Sequence, residues 1–269
     1  MKAEDVKVCV LRIEGTNCED EMYQAFKMVG ASPEKVHLKQ LIGQAPPELK
    51  RNIEDYDILA FPGGFSAGDY VRAGAIFAAR IKSAIGPRIK KFVESEKPVL
   101  GVCNGFQILV ELGLLPALDD TMSPEPTAAL YRNDSSRFEC RPTLLRNDTR
   151  GKCIFTSEIP KKKVLMIPSA HAEGKLLSMD PKFVDRLEEN DQIVFRYVAP
   201  EGETKYPWNP NGSQSDIAGI CNPVGNVLGM MPHPERVLTR FTHPDWTRGY
   251  DTEEGDGLIV FKSVMKKLL

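Results

Sequence analysis

Apolar and polar positions alternate along the first half of the chain in blocks that switch period. Val6 to Ile13 (VKVCVLRI) is a compact apolar run and reads as a strand. Glu19 to Val29 carries apolar residues at helical spacing, with Gly30 as the stop. Lys35 to Leu41 alternates as a short strand, and Tyr56 to Phe61 is a buried β-type run that ends at Pro62-Gly63-Gly64. Ala75 to Ser95 predicts a helix broken at Gly86-Pro87. Pro98 to Val102 predicts a buried strand, and Gly105 to Gly113 a helix directly after it. Strands separated by helices in this order imply a parallel sheet covered on both faces.

The second half changes character. Short strands are predicted over Arg137 to Leu145, Lys152 to Thr156, Val164 to Ile167 and Gln192 to Val198, with a helix over Asp180 to Glu189. Ile217 to Cys221 and Asn226 to Met231 flank a hairpin turn at Asn222-Pro223-Val224-Gly225, and Leu258 to Leu268 predicts a closing helix. Asp119 to Arg137 is polar and turn-rich and reads as a surface excursion. With no repeat and no linker, residues 1–269 are expected to form a single α/β domain.

Composition narrows the function classes. The 269 residues are 42% hydrophobic and 27% charged, ordinary values for a globular chain. A formal net charge of −2 argues against a nucleic-acid surface, which needs a basic excess. No apolar run approaches a membrane span, and Val6 to Ile13 is too short and too charged for a signal peptide, so a cytoplasmic protein is expected. The six cysteines form no CxxC pair, which makes a zinc knuckle or thioredoxin motif a poor fit; no metal is expected.

One cysteine stands apart. Gly101-Val102-Cys103-Asn104-Gly105 is a G-x-C-x-G pattern where a buried strand meets a helix. That is the geometry of a nucleophile elbow, in which the residues two before and two after must be small. The positive end of the following helix favours a thiolate, and the Asn104 N–H is free to meet an oxyanion. The competing reading is a buried structural cysteine. Gly63-Gly64 ends an equally buried strand. It fits neither phosphate fingerprint, but a loop there can face the same crevice and supply a second oxyanion donor.

A cysteine nucleophile needs a histidine, and the histidine an orienting group. Of His37, His171, His233 and His243, two have a glutamate two residues on: His171-Ala172-Glu173 and His233-Pro234-Glu235. In extended backbone such residues point the same way. The second pair is favoured because it follows the apolar strand Val227 to Met231 directly and Pro234 stiffens the link. A surface salt-bridging turn is the alternative for either.

The G-x-C-x-G elbow, the upstream Pro-Gly-Gly and the late His-Pro-Glu together resemble a class I (triad-type) glutamine amidotransferase. Four blocks resemble more closely the glutaminase subunits of phosphoribosylformylglycinamidine synthases, enzymes of purine biosynthesis. They are Phe61 to Arg72, Gly101 to Gln107, Asn209 to Ser213 and Gly229 to Arg236. The resemblance implies a flavodoxin-like fold, with a mostly parallel sheet, helices on both faces and an antiparallel extension. It implies glutamine hydrolysis by Cys103, His233 and Glu235 through a thioester, with Gly64 and Asn104 as oxyanion donors. Gly63, Phe65, Gln107, Asn211, Gly212 and Ser213 would help hold the glutamine. The His171 to Lys175 block would lie near the mouth of the site. Ammonia would pass to a separate large synthetase subunit, which uses ATP and magnesium; this chain would carry no cofactor. A small third subunit is also expected, as is little activity from the chain alone. Ala67 and Ala172 depart from the family pattern, in which an aromatic residue and glycine are usual.

Two other classes fit the same residues. An autonomous cysteine hydrolase of the peptidase or deglycase type also uses an elbow cysteine, but it leaves the His-Pro-Glu segment without a task. A non-catalytic binding module would leave Cys103 inert. Within the amidotransferase class, another ammonia acceptor is a further option.

Overall fold

The computed structural model describes residues 2–269. The parallel half of its main sheet is built from β1 (Lys7–Arg12), β2 (Ser32–His37), β3 (Ile58–Phe61), β4 (Val99–Val102) and β11 (Val227–Met230), in the order β2-β1-β3-β4-β11. The antiparallel half continues from β11 through β10 (Ile217–Cys221), β9 (Ile193–Tyr197), β6 (Glu139–Asn147) and β7 (Val164–His171). A separate ribbon pairs β5 (Ala129–Tyr131) with β8 (Lys175–Leu177).

β3, β4, β10 and β11 are buried along their whole length, the sign of a sheet covered on both faces. The covering helices are α1 (Glu19–Met28), α3 (Ala75–Glu94), α4 (Asn104–Glu111) and α6 (Leu258–Leu268); α1 and α6 meet through Phe26 and Phe261, edge to face at 5.1 Å. Strand β7, with its alternating burial, has one covered face only. The expected break in α3 is present: Ile85 leaves helical geometry two residues before Pro87, whose ring cannot fit a regular turn. No helix among the described residues is long and apolar enough to cross a membrane.

Three expectations are corrected. The strand expected over Lys35 to Leu41 ends at His37, and α2 (Leu38–Leu41) follows. His37 starts it as a cap: its Nδ1 accepts the Lys39 N–H at 3.1 Å, and Gln40 Oε1 accepts the His37 N–H at 2.8 Å. Lys152 to Thr156 is a tight 3-10 turn at Ile154–Thr156 and not a strand. It is closed by Thr156 Oγ1 donating to the Cys153 carbonyl and pinned by the Ile154 N–H donating to Gly225. The Asp119 to Arg137 segment is more than a surface excursion, since it contains β5 and the buried Asn133. Two strands also extend past their expected ends, β6 to Asn147 and β7 to His171.

Candidate active site

The turn between β4 and α4 carries Cys103 at φ 53°, ψ −109°, a region that side chains seldom occupy and that costs about 1–3 kcal/mol. The flanking glycines permit it. A Cβ on Gly101 would lie 2.6 Å from the Gly105 carbonyl oxygen, and one on Gly105 would lie 2.0 Å from the Phe61 carbonyl oxygen. The Cys103 N–H donates to Met230 at 2.8 Å, and its thiol faces the Ala170 carbonyl at 3.5 Å, so neighbouring strands fix it from both sides. The buried Asn104 side chain accepts the Ser66 N–H at 3.3 Å and donates to Gln107 Oε1 at 3.0 Å. Neither the Asn104 N–H nor the Gly64 N–H has an acceptor among the described residues.

His233 follows β11 by three residues and is buried. Its Nδ1 meets Glu235 Oε1 at 2.6 Å, also buried. A 3-10 turn over Pro234–Arg236 folds the carboxylate back onto the ring, so the contact comes from a turn and not from the extended geometry expected. Burial opposes charge on His233. The Glu235 carboxylate and the thiols of Cys103 and Cys18 nevertheless hold its pKa well above the ordinary histidine value. The His233 Nε2 is buried without a hydrogen-bond partner.

These groups border a cavity of about 120 Å³. Of the residues expected from the sequence, Cys103, His233, Gly64, Phe65 and Gln107 line it. Asn104 sits beside Cys103, Glu235 stands behind His233, and Gly63 packs against both, a Cβ there falling 2.7 Å from His233 Cε1. Phe65 and Phe138, both about half exposed, flank the cavity with ring centres 6.3 Å apart.

Asn211, Gly212 and Ser213 do not line the cavity. The Asn211 amide donates to Tyr197 Oη at 3.2 Å. Ser213 Oγ accepts the Leu176 N–H at 3.0 Å and donates to the Gly174 carbonyl at 3.3 Å. Their place is to brace the 171–177 segment from behind. The structure shows them in a supporting position and not on the cavity wall.

Sequence reasoning missed Cys18, Asp69 and Arg236 as wall residues, while His171, Ala172 and Glu173 of the 171–175 block do line the cavity. Arg236 Nη2 donates to Cys18 Sγ at 3.0 Å across 218 positions of chain, a contact with no local signal. Burial and the Glu173 charge push the Asp69 carboxyl up to about 6. Ligand atoms of Cys18, His233 and Glu235 lie within 4.8 Å of one another, but the Arg236 guanidinium already supplies positive charge to that thiol, so the cluster fits a cation poorly.

The description "CobB/CobQ-like glutamine amidotransferase domain" belongs to the family model that matches residues 5–266. The chain is 51% identical to phosphoribosylformylglycinamidine synthase subunit PurQ of Archaeoglobus fulgidus, covering 100% of this chain and 99% of that one. It is 45% identical to the subunit of the same name from Picrophilus torridus, covering 95% and 96%. Among solved structures, PurLQS from Thermotoga maritima superimposes with a TM-score of 0.74 at 32% identity, over 98% of this chain and 100% of that one. A second Thermotoga maritima protein, a glutamine amidotransferase, shares the fold at a TM-score of 0.52 and 18% identity, over 91% and 82%.

Proposed function

The chain belongs to the CobB/CobQ-like glutamine amidotransferase family and to its PurQ branch, and from that we propose the part each side chain plays in releasing ammonia from glutamine. The chain is the glutaminase subunit of phosphoribosylformylglycinamidine synthase. Cys103 Sγ attacks the side-chain amide carbon, and the His233 Nε2 takes the thiol proton. The tetrahedral oxyanion is met by the N–H groups of Gly64 and Asn104, each such donor being worth about 10²–10³ in rate. Collapse expels ammonia, which leaves with the proton from His233, and a γ-glutamyl thioester remains. Water, deprotonated by His233, then releases glutamate and restores the thiol. Glu235 fixes the ring and stabilises its charged form. Gly63, Phe65 and Gln107 shape the pocket.

The observation that carries this reading is the pairing of a strained Cys103 elbow with a buried His233–Glu235 contact of 2.6 Å on one cavity. The match to PurQ subunits along the whole chain disfavours the peptidase alternative. Ammonia passes to a large synthetase subunit, which holds ATP and magnesium and forms the amidine in de novo purine biosynthesis, with a small third subunit completing the assembly. No cofactor is assigned to this chain, the assembly acts in the cytoplasm, and the chain alone has low activity.

The test is intact mass and peptide mapping of the chain, assembled with its synthetase subunits, after exposure to a glutamine-mimicking alkylator. One adduct on Cys103 that glutamine blocks is expected. Labelling that glutamine does not block would favour the autonomous hydrolase. No labelling in the assembled enzyme would return Cys103 to a structural role.

A further inference from the structure

His171 ends β7 one residue after the carbonyl that faces the Cys103 thiol, and it lines the same cavity. It is 2% exposed, and its Nε2 is buried with no partner. The state of the ring is set from outside the cavity. Nδ1 meets Asn133 Oδ1 at 3.2 Å. Asn133 can present only its oxygen there, because its Nδ2 donates to two carbonyls, Arg137 at 2.9 Å and His171 at 2.8 Å, while its Oδ1 also accepts the Gly174 N–H at 3.1 Å. Nδ1 must therefore carry the proton, and Nε2 is left as a bare acceptor. Gly174 closes on the Nδ1–Cε1 edge, where a Cβ would fall 2.6 Å from both atoms, so the ring is held from that side.

We infer that His171 Nε2 accepts an N–H of the substrate's carboxamide, making His171 a specificity-determining residue that reads an amide and disfavours a carboxylate, with Asn133 as the positioning residue that fixes its tautomer. The inference rests on the glutaminase reading above. An acceptor lone pair suits an NH₂ group and opposes a carboxylate oxygen, so the same atom that orients glutamine helps expel glutamate. Burial and the nearby charge of His233 keep the ring neutral, with its pKa down to about 3, so this character persists through the working pH range.

The decisive comparison uses the assembled enzyme with two substrates, L-glutamine and L-glutamate γ-methyl ester, which has no amide N–H. His171→Leu is expected to lower kcat/KM for glutamine relative to the ester by roughly tenfold or more. His171→Gln, which restores an acceptor at the same reach, should recover most of that ratio. An unchanged ratio in His171→Leu, whether both activities fall together or neither falls, would overturn the inference. Wild-type enzyme that turns over the ester but not glutamine would instead sink the glutaminase reading itself. A measurement without substitution at 171 guards against misfolding: nitrogen NMR of histidine-labelled Cys103→Ala protein. It should show His171 protonated at Nδ1 and bare at Nε2, with the Nε2 resonance moving when glutamine is added. A proton on Nε2, or no response to glutamine, would count against it.

Discussion

His171-Ala172-Glu173 and His233-Pro234-Glu235 share a spacing and reach one cavity, yet the fold holds the first ring neutral and favours charge on the second. The difference lies at Nδ1. In the second segment Pro234 opens a tight turn that folds Glu235 onto the ring at 2.6 Å. In the first, the glutamate turns away: Glu173 Oε2 accepts the Ala73 N–H at 3.1 Å, and its main-chain carbonyl accepts from the Gln107 side chain at 2.5 Å. An amide oxygen, that of Asn133, takes its place. A carboxylate at Nδ1 makes a base that can hold a proton, whereas a neutral oxygen leaves a ring that only accepts.

The largest effect should come from removing that difference at the second ring. Glu235→Gln puts an amide where the carboxylate stands and is expected to lower kcat about 10⁴-fold with little change in glutamine KM, read as glutamate release by the assembled enzyme. A fall of less than about tenfold would show that the carboxylate is not what separates the two segments. Next comes displacement of the ring without a change of charge. Gly63→Ala places a methyl against His233 Cε1 and should cost about 10²-fold in kcat, with the chain still folded by circular dichroism.

Asn133→Asp runs the exchange the other way. A carboxylate at Nδ1 should raise the His171 pKa, followed by NMR titration, and lower glutamine turnover roughly tenfold as Nε2 becomes a donor. Near neutral pH the smallest effect is on stability, and it grows on acidification. The folded His171 pKa, about 3, lies below the ordinary 6.5, so the unfolded chain binds a proton that the folded chain refuses. This group's penalty is absent above pH 6.5 and grows as pH falls toward 3, by up to about 1.4 kcal/mol per pH unit. His171→Gln should therefore flatten the fall in urea midpoint between those limits. His233 has the opposite sign: its raised pKa stabilises below the ordinary histidine value, and that contribution is lost as pH rises through the folded value.

Much of this architecture was legible where the signal is local. The buried runs of β1, β3 and β4, the helical spacing of α1, and the glycines around Cys103 each specify their own conformation within a few residues. Asn133 was not legible, because it lies in a turn-rich stretch and gains its role only from Arg137, His171 and Gly174. Cys18 carries no local signal either, because its partner Arg236 is far away in sequence. The Asn211 to Ser213 block was legible as special but not in its placement, since its hydrogen bonds go to Tyr197 and the 174–176 backbone. The four-residue helix α2 depends on a histidine cap, which periodicity does not register.

The strand order carries a consequence for how the protein is made. Strand β11, which leads to His233, lies between β4 and β10, although it follows β4 in the chain by about 125 residues. A ribosome adding about 5–20 residues per second therefore exposes the Cys103 segment for several seconds to tens of seconds before His233 and the neighbouring strand exist. During that interval β4 has an open edge. That open edge makes this the stage of synthesis most exposed to mispairing.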